Sequence, residues 1–159
     1  MTMKDEQPRP PPAVLAAVAD ASTLVSNWIT DHSWAPYGMA RVEYDPPAYV
    51  LYATESLPDV ARAEIVARLP AGVALVEVRC AYNEEQLAAE AKRLLAANRD
   101  GPFALSMAGS APDGNGVQVW PRDPVDEAAL RDHLGAVLPL TVREATGPVY
   151  PAESGRASG

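Results

Sequence analysis

Apolar residues recur along the chain with two different periods, and the changes of period divide it into elements. From about Ala13 to Thr30 they return every three or four residues, which predicts a helix with one buried stripe. That stripe consists of Val14, Val18, Ala21, Val25 and Trp28. Between Met39 and Ala53, apolar and polar residues alternate on either side of the turn Asp45-Pro46-Pro47, which predicts a β-hairpin.

A second helix and a third strand are predicted after the hairpin. Ser56 and Asp59 have the spacing of an N-cap pair at the start of this helix. Its expected buried side is Ala61, Ile65, Val66 and Leu69. The strand lies within the segment from Gly72 to Tyr82, which reads GVALVEVRCAY. Its alternation predicts one face that points inward, Val76, Val78, Cys80 and Tyr82, and an outward face of Glu77, Arg79 and Ala81.

The same order of elements is predicted again from Asn83 onward. Asn83 and Gln86 are expected to cap a helix that continues to about Ala97, and its inward residues are Leu87, Ala91, Leu94 and Leu95. The next predicted hairpin has a strand with Phe103, Leu105 and Met107, a loop from Gly109 to Gly116, and a return strand with Val117 and Val119. A helix that begins at Asp123-Pro124 is expected to bury Leu130, Leu134 and Val137, and the last strand follows Pro139.

This repeated order predicts an α+β fold of two tandem helix-strand-strand-helix-strand units, residues 13–82 and 83–146. A disordered arm is expected at 1–12 and a flexible tail at 147–159. The right-handed crossover rule places the third strand beside the first, which makes each unit a three-stranded antiparallel sheet with both helices on one face. The alternative is a ferredoxin-like βαββαβ unit over residues 73–145 with an N-terminal extension.

Each predicted sheet has an open face, defined as the side opposite its helices. The predicted residues are Arg41, Glu43, Val50, Tyr52, Glu77 and Arg79 in the first unit, and Ser106, Gln118, Trp120, Thr141 and Arg143 in the second. Tyr52 beside Arg79 is a combination typical of interface anchors. Trp120 beside Arg143 is another. We therefore predict a binding role for these four residues. The alternatives are that the two open faces cover each other, or that a register shift of one residue turns Trp120 inward. Tyr150, in the extended segment GPVYP, is a fifth binding candidate.

Composition narrows the classes of partner. The 159 residues, 48% of them hydrophobic, are enough to bury an ordinary core. The net charge of −8 repels phosphate backbones, so we expect no nucleic acid partner. No apolar run approaches the roughly 18 residues that span a bilayer. The polar first residues lack the apolar region of a secretory signal, so we expect a cytoplasmic protein without a membrane partner.

The chemistry-bearing residues favour structural roles. Cys80 is expected to be a buried, inert thiol, Asp31-His32-Ser33 a helix end, and His133 a residue at the edge of an apolar stripe. The two histidines and one cysteine are too far apart in sequence for a structural zinc site. The loop from Gly109 to Gly116 lacks the lysine of a P-loop. We therefore predict no catalytic residue, no metal, no cofactor and no enzymatic activity.

The segment from Asn83 to Pro151 resembles the repeated unit in the pro-regions of bacterial secreted serine proteases of the alpha-lytic protease and streptogrisin group. The similar features are the helix EEQLAAEAKRLLAA, Asn115 before Val117 and Val119, the helix EAALRDHL, the strand residues Leu140 and Val142, and the proline-bearing exit. The resemblance implies a non-catalytic module that docks its sheet against a protease, assists its folding and inhibits it.

The leading functional hypothesis is a non-catalytic protein- or peptide-binding module that acts through its open sheet faces and strand edges. The second hypothesis is a small metabolite-binding domain or enzyme with a pocket between the two units, which uses His133 and Asp132. The third is an accessory subunit of a larger complex, stable only in an oligomer.

Overall fold

The computed structural model describes residues 8–145 and divides the chain into two compact units at Arg79/Cys80. The elements of the first unit are α1 (Pro12–Asp31), β1 (Tyr37–Tyr44), β2 (Pro47–Ala53), α2 (Asp59–Arg68) and β3 (Ala74–Arg79). Those of the second are α3 (Glu84–Ala97), β4 (Leu105–Ser110), β5 (Val117–Pro121), α4 (Glu127–Leu134) and β6 (Leu140–Val142). The α+β class and the repeated order of elements are confirmed. Residues 1–7 of the expected arm and the whole expected tail lie outside the described residues.

The sheets are mixed, and the predicted antiparallel arrangement is wrong. Their strand orders are β1-β2-β3 and β4-β5-β6, so each third strand lies beside the second strand of the hairpin and parallel to it. The crossover rule requires only that the connection from the second strand through the helix to a parallel third strand be right-handed. It does not determine on which side of the second strand the first strand lies. Here the first strand lies on the side opposite the third, in both units.

The ferredoxin-like alternative is also wrong. That arrangement requires the strand at residues 74–79 to join the strands of the C-terminal half in one sheet. Instead β3 pairs with β2, and the second described sheet contains β4, β5 and β6.

The two helices of the first unit pack on one side of its sheet. Ala21 and Val25 of α1 and Ile65 of α2 form a core with Tyr49 and Leu51 of β2. The pKa of the Tyr49 hydroxyl is raised to about 12, chiefly by burial and in addition by the nearby Tyr37 hydroxyl, while a hydrogen bond with Ser26 acts in the opposite direction. The core is therefore closed around the central strand.

The predicted start and buried side of α2 need two corrections. Pro58, not Ser56, is the N-cap residue, and no side chain caps this helix. Val66 is 52% exposed, because it follows Ile65 and so lies about 100° farther around the helix.

The faces of β3 are the reverse of those predicted. Leu75 packs against the first core, whereas Val76 and Val78 are 41% and 38% exposed. The pairing of Tyr49 with Leu75 and of Leu51 with Glu77 puts the odd-numbered β3 residues on the helix side. The strand ends at Arg79, so Cys80 and Tyr82 follow it rather than belong to it. Because side chains alternate along a strand, an error of one residue reverses every assignment.

The core of the second unit follows the same plan. Leu87 and Leu94 of α3 and Leu130 of α4 pack with Val117 and Val119 of β5. The predicted cap of α3 is confirmed as a capping box: Asn83 Oδ1 accepts a bond from the Gln86 amide, and Gln86 Oε1 accepts one from the Asn83 amide.

Two assignments in the second unit are corrected. The last helix begins at Glu127, because Asp126 accepts a hydrogen bond from the Ala129 amide, and not at Asp123-Pro124. Val137 is 78% exposed rather than buried, since Gly135, with φ of 54°, ends the helix before it.

The two hairpins share one register. The pairing of Tyr37 with Ala53 recurs as Leu105 with Pro121, and Met39 with Tyr52 recurs as Met107 with Trp120. Both hairpins also have an irregularity in register at the same place, between Tyr37 and Met39 and between Leu105 and Met107. The supersecondary plan is therefore repeated down to individual residue pairs.

Helix α1 is the one helix in residues 8–145 that is long and apolar enough to cross a membrane by length and composition. This is weak evidence for a membrane span, because a core helix of a soluble protein passes the same test. In the first unit, Val18, Ala21 and Val25 are the buried residues of α1.

A buried carboxylate connects α3 to the segment between α4 and β6. Glu90 on α3 is 6% exposed and accepts hydrogen bonds from Arg93 Nε at 2.7 Å and from the amides of Val137 and Leu138. The hydrogen bond from Arg93 lowers the pKa of Glu90, burial opposes this shift, and the two amide bonds add to it. Ionised Glu90 therefore stabilises the fold.

We predict that Glu90→Gln lowers the free energy of unfolding by about 1–3 kcal/mol at neutral pH, because a charged acceptor of three N–H groups is replaced. The folded-state pKa of Glu90 lies below its ordinary value of 4.5, so its contribution is present above that pH and is lost as the pH falls through the folded-state pKa. Urea unfolding at a series of pH values checks this. Glu85→Gln, at an exposed site on α3, is the control, and a difference between wild type and Glu90→Gln that does not change with pH would contradict the prediction.

Candidate functional site

The open face of the second sheet is determined by the alternation of β5. Val117 and Val119 are fully buried beneath α3 and α4, so Gln118 and Trp120 point to the other side. The register irregularity in β4 places Met107 opposite Trp120. Met107 is 47% exposed, whereas Leu105, two residues before it on the same predicted strand, is buried. The sequence does not reveal the irregularity that separates them.

Arg143 joins this face through Gln118. The Arg143 amide donates to Val119 O at 2.9 Å, which extends the pairing beyond β6. Its Nε donates to Gln118 Oε1 at 3.0 Å, and Gln118 Nε2 donates to Ser110 O at 3.1 Å. The guanidinium is therefore oriented by a chain of hydrogen bonds. Arg143 is also exposed.

The remaining residues predicted for this face are Thr141 and Ser106. Thr141 pairs with Gln118 and is exposed. Ser106 is exposed, and its hydroxyl donates to Trp120 O at 3.1 Å. In the described part of this face, the single charged side chain is that of Arg143, whereas the chain as a whole has a net charge of −8.

The first unit presents its candidates differently. Tyr52 lies on the open face of the central strand, but it is only 5% exposed, between Met39 on β1 and Val78 on β3. The Arg41 guanidinium lies 5.7 Å from the centre of its ring and is paired with Glu43 at 2.9 Å. Tyr52 is therefore not an accessible anchor.

Arg79 and Glu77 lie on the helix side of the first sheet, so the prediction that they lie on its open face is wrong. Arg79 Nη1 donates to Thr54 O at 3.0 Å and Nη2 to Ser56 Oγ at 3.1 Å.

Glu77 accepts from the Leu57 amide at 2.9 Å and from Arg62 on α2. The hydrogen bonds from Arg62 lower the pKa of Glu77, burial opposes this shift, and the Leu57 amide adds to it. The exposed apolar residues of this open face are instead Val76 and Val78.

The strand edges differ in how well they are protected. Strand β6 has only three residues, and Arg131 Nη1 donates to Leu140 O at 2.8 Å. Strand β1 carries the ion pair of Arg41 and Glu43. Strand β4 reads LSMAGS, without a charge or a proline. Charges and prolines are the usual means by which proteins block edge pairing, so β4 is the edge of the second sheet most open to an added strand.

Tyr150 lies outside the described residues. Of the five predicted binding residues, the structure thus brings Trp120 and Arg143 onto one accessible face.

The histidines and the cysteine lie in separate local settings. His32 is the C-cap residue of α1; its Nδ1 donates to Trp28 O at 2.8 Å, and its ring stacks on that of Trp28 at 4.4 Å. Cys80 is 6% exposed and donates from Sγ to Tyr82 O at 3.3 Å. No group of three or more histidine, cysteine, aspartate or glutamate residues within 8–145 is placed to hold a metal ion.

His133 has a polar partner that the sequence does not reveal. Asn98 is 7% exposed, and its Nδ2 donates to Leu94 O at 2.7 Å. Its Oδ1 therefore accepts from His133 Nε2, 2.9 Å away, and the imidazole stacks on Phe103 at 4.5 Å. These contacts give His133 a structural role.

No protein-family model matches the chain, and no curated protein matches it.

We predict that His133→Ala lowers the free energy of unfolding of the second unit by about 0.5–1.5 kcal/mol, because the partly buried hydrogen bond to Asn98 is lost. The neighbouring Asp132→Ala, at a position that is exposed like that of His133, is the matched control and should change it by less than about 0.5 kcal/mol. Urea unfolding monitored by circular dichroism measures both. Equal effects of the two substitutions would contradict the structural role of His133.

Proposed function

We propose that the chain is a non-catalytic module that binds an extended segment of a protein partner through the open face of the second sheet and the edge of β4. The observation that carries this proposal is the exposed Met107 opposite Trp120, on the same face as the oriented guanidinium of Arg143.

The residue types on this face support protein recognition. Methionine, tryptophan and arginine are enriched at the centres of protein interfaces, and tryptophan and arginine are the commonest hot-spot residues. Arg143 is already held by Gln118, so less side-chain entropy is lost when it meets a partner. Its isolated positive charge favours a carboxylate on the partner.

The edge of β4 supports the extended form of the bound segment. A peptide that adds to a sheet edge gains main-chain hydrogen bonds, and alternate side chains then lie on each face of the sheet. On the open face, such a side chain lies beside Met107, with Trp120 on the next strand, so we expect it to be apolar. The bound segment is therefore an extended one with an apolar side chain at this position.

The resemblance to protease pro-region repeats supports the same kind of interaction, because it implies docking through a sheet. A single free cysteine suits a reducing compartment, and we propose the cytoplasm as the place where the module acts.

We predict that Trp120→Ala removes at least one partner that the wild-type protein retains in a pull-down from native lysate. With that partner purified, its dissociation constant should rise at least tenfold, as expected for loss of an aromatic hot spot. Val60→Ala, at an apolar position on α2 that is 81% exposed, is the matched control and should leave binding unchanged.

A second variant, Met107→Asp, separates the surface from the fold, because Met107 is 47% exposed and its substitution leaves the core intact. We expect it to weaken the same partner while the melting temperature is retained. If both variants keep the wild-type set of partners and affinities, the proposed surface is wrong.

A further inference from the structure

The open face of the second sheet has a gap on β4. Met107 is paired with Trp120, and the next position of β4 on the same face, Gly109, is paired with Gln118. Gly109 carries no side chain, and a Cβ atom placed there would meet no atom within 4 Å apart from those of its chain neighbours. No side chain of β4 therefore separates Gln118 from a segment that is added beside Gly109.

Two hydrogen bonds connect Arg143 to the strand that carries this gap. Arg143 Nε donates to Gln118 Oε1 at 3.0 Å, and Gln118 Nε2 donates to Ser110 O at 3.1 Å. Because Gln118 belongs to β5 and Ser110 to β4, the Gln118 amide extends over the two strands toward the edge of the sheet. Arg143 has no carboxylate partner within residues 8–145, so its two Nη groups can bind a carboxylate on another chain.

The main chain of β4 beside the gap points to the edge of the sheet. The Ala111 amide donates to Gly116 O, so these two residues form a hydrogen-bonded pair of the antiparallel ladder. Such pairs alternate along a ladder, so Met107 and Gly109 bond to β5, whereas the N–H and C=O groups of Ala108 point away from it. A segment that pairs with Ala108 places its two neighbouring residues beside Met107 and Gly109, on the open face.

We propose that the bound segment carries an apolar residue beside Met107 and, two residues along, a single glutamate beside Gly109, whose carboxylate binds the Arg143 guanidinium and the Gln118 amide. This inference rests on the proposed function, because it specifies the segment that the open face and the edge of β4 bind. The spacing of two residues follows from the alternation of strand side chains, and it holds for either direction of the added segment.

Glutamate suits this position better than aspartate, because the carboxylate must cross β4 and neighbouring strands lie about 4.8 Å apart. A hydrogen bond in which both partners are ionised is stronger than a neutral one, so a carboxylate is the preferred acceptor for Arg143. The chain has a net charge of −8, which repels a strongly acidic segment. The segment that fits therefore has one carboxylate and is otherwise uncharged.

A nuclear magnetic resonance titration of the full chain with synthetic nine-residue peptides tests this inference. The probe is an otherwise uncharged peptide with leucine and glutamate two residues apart. In one control peptide glutamine replaces glutamate, and in the other glutamate lies three residues from leucine, on the opposite face of an extended segment. We expect the probe to shift the Met107 methyl and Ala108 amide signals and to bind about fivefold more tightly than either control, as for a well-formed exposed ion pair.

Two variants of the chain assign the preference to the residues that we name. Arg143→Met removes the charge and should abolish the preference for glutamate over glutamine while the glutamine peptide binds as before. Gly109→Val fills the gap and should also reduce the preference, because its side chain lies between the carboxylate and Gln118. Lys92→Met, which removes a positive charge at an exposed position on α3, is the matched control and should retain the preference.

The outcomes separate this inference from the proposed function. Shifts at Met107 with equal affinities for the three peptides, or a preference that persists in Arg143→Met, would overturn the inference and leave the proposed function in place. No shift at Met107 or Ala108 with any peptide would overturn both. Shifts of these signals that depend on the concentration of the chain alone would make the occupant of the edge a second copy, which also overturns the inference.

Discussion

The burial of alternate side chains of β5 beneath two helices is the constraint on which the rest of the second unit depends. Val117 and Val119 are fully buried against α3 and α4. Because the side chains of a strand alternate, Gln118 and Trp120 must point to the opposite face of the sheet. The position of Trp120 then determines which residue of β4 lies opposite it, and Gln118 orients Arg143. The composition of the open face therefore follows from what the core must bury.

The two units share one backbone arrangement but carry different side chains at equivalent positions. Tyr52 and Trp120 occupy equivalent positions, yet Tyr52 is buried beside Arg41, whereas Trp120 lies opposite an exposed methionine. Glu77 and Val142 also occupy equivalent positions, since they pair with Leu51 and Val119; Glu77 is a carboxylate bound by Arg62, whereas Val142 packs against the second core. The backbone pairing is thus retained while the surfaces that it presents have diverged.

Periodicity in the sequence is enough to predict most elements, because each helix presents a clear apolar stripe and Asn83 with Gln86 forms a local cap. It fails in β3, where GVALVEVRCAY has apolar residues at both odd and even positions, so alternation alone does not identify the buried face. Contact with α2 decides it through Leu75 and Glu77. Strand order and the irregularity before Met107 depend on pairing between distant residues, which no local pattern encodes.

Only part of the candidate site could be predicted from the sequence. Trp120 and Arg143 follow from alternation in their own strands, and both lie on the expected face. Arg79 does not, because its face depends on the tertiary contacts of β3. Glu90 is an ordinary helical residue in sequence and Asn98 is the C-cap of α3, and both have partners more than thirty residues away.

Thiol accessibility measures whether pairing in the second hairpin turns Met107 and Trp120 to the open face. In a Cys80→Ala background, Met107→Cys and Ala108→Cys place one thiol on each side of β4. We expect rapid labelling of the folded protein at 107 and slow labelling at 108, where the side chain packs against the second core. Slow labelling at 107 with rapid labelling at 108 would contradict it.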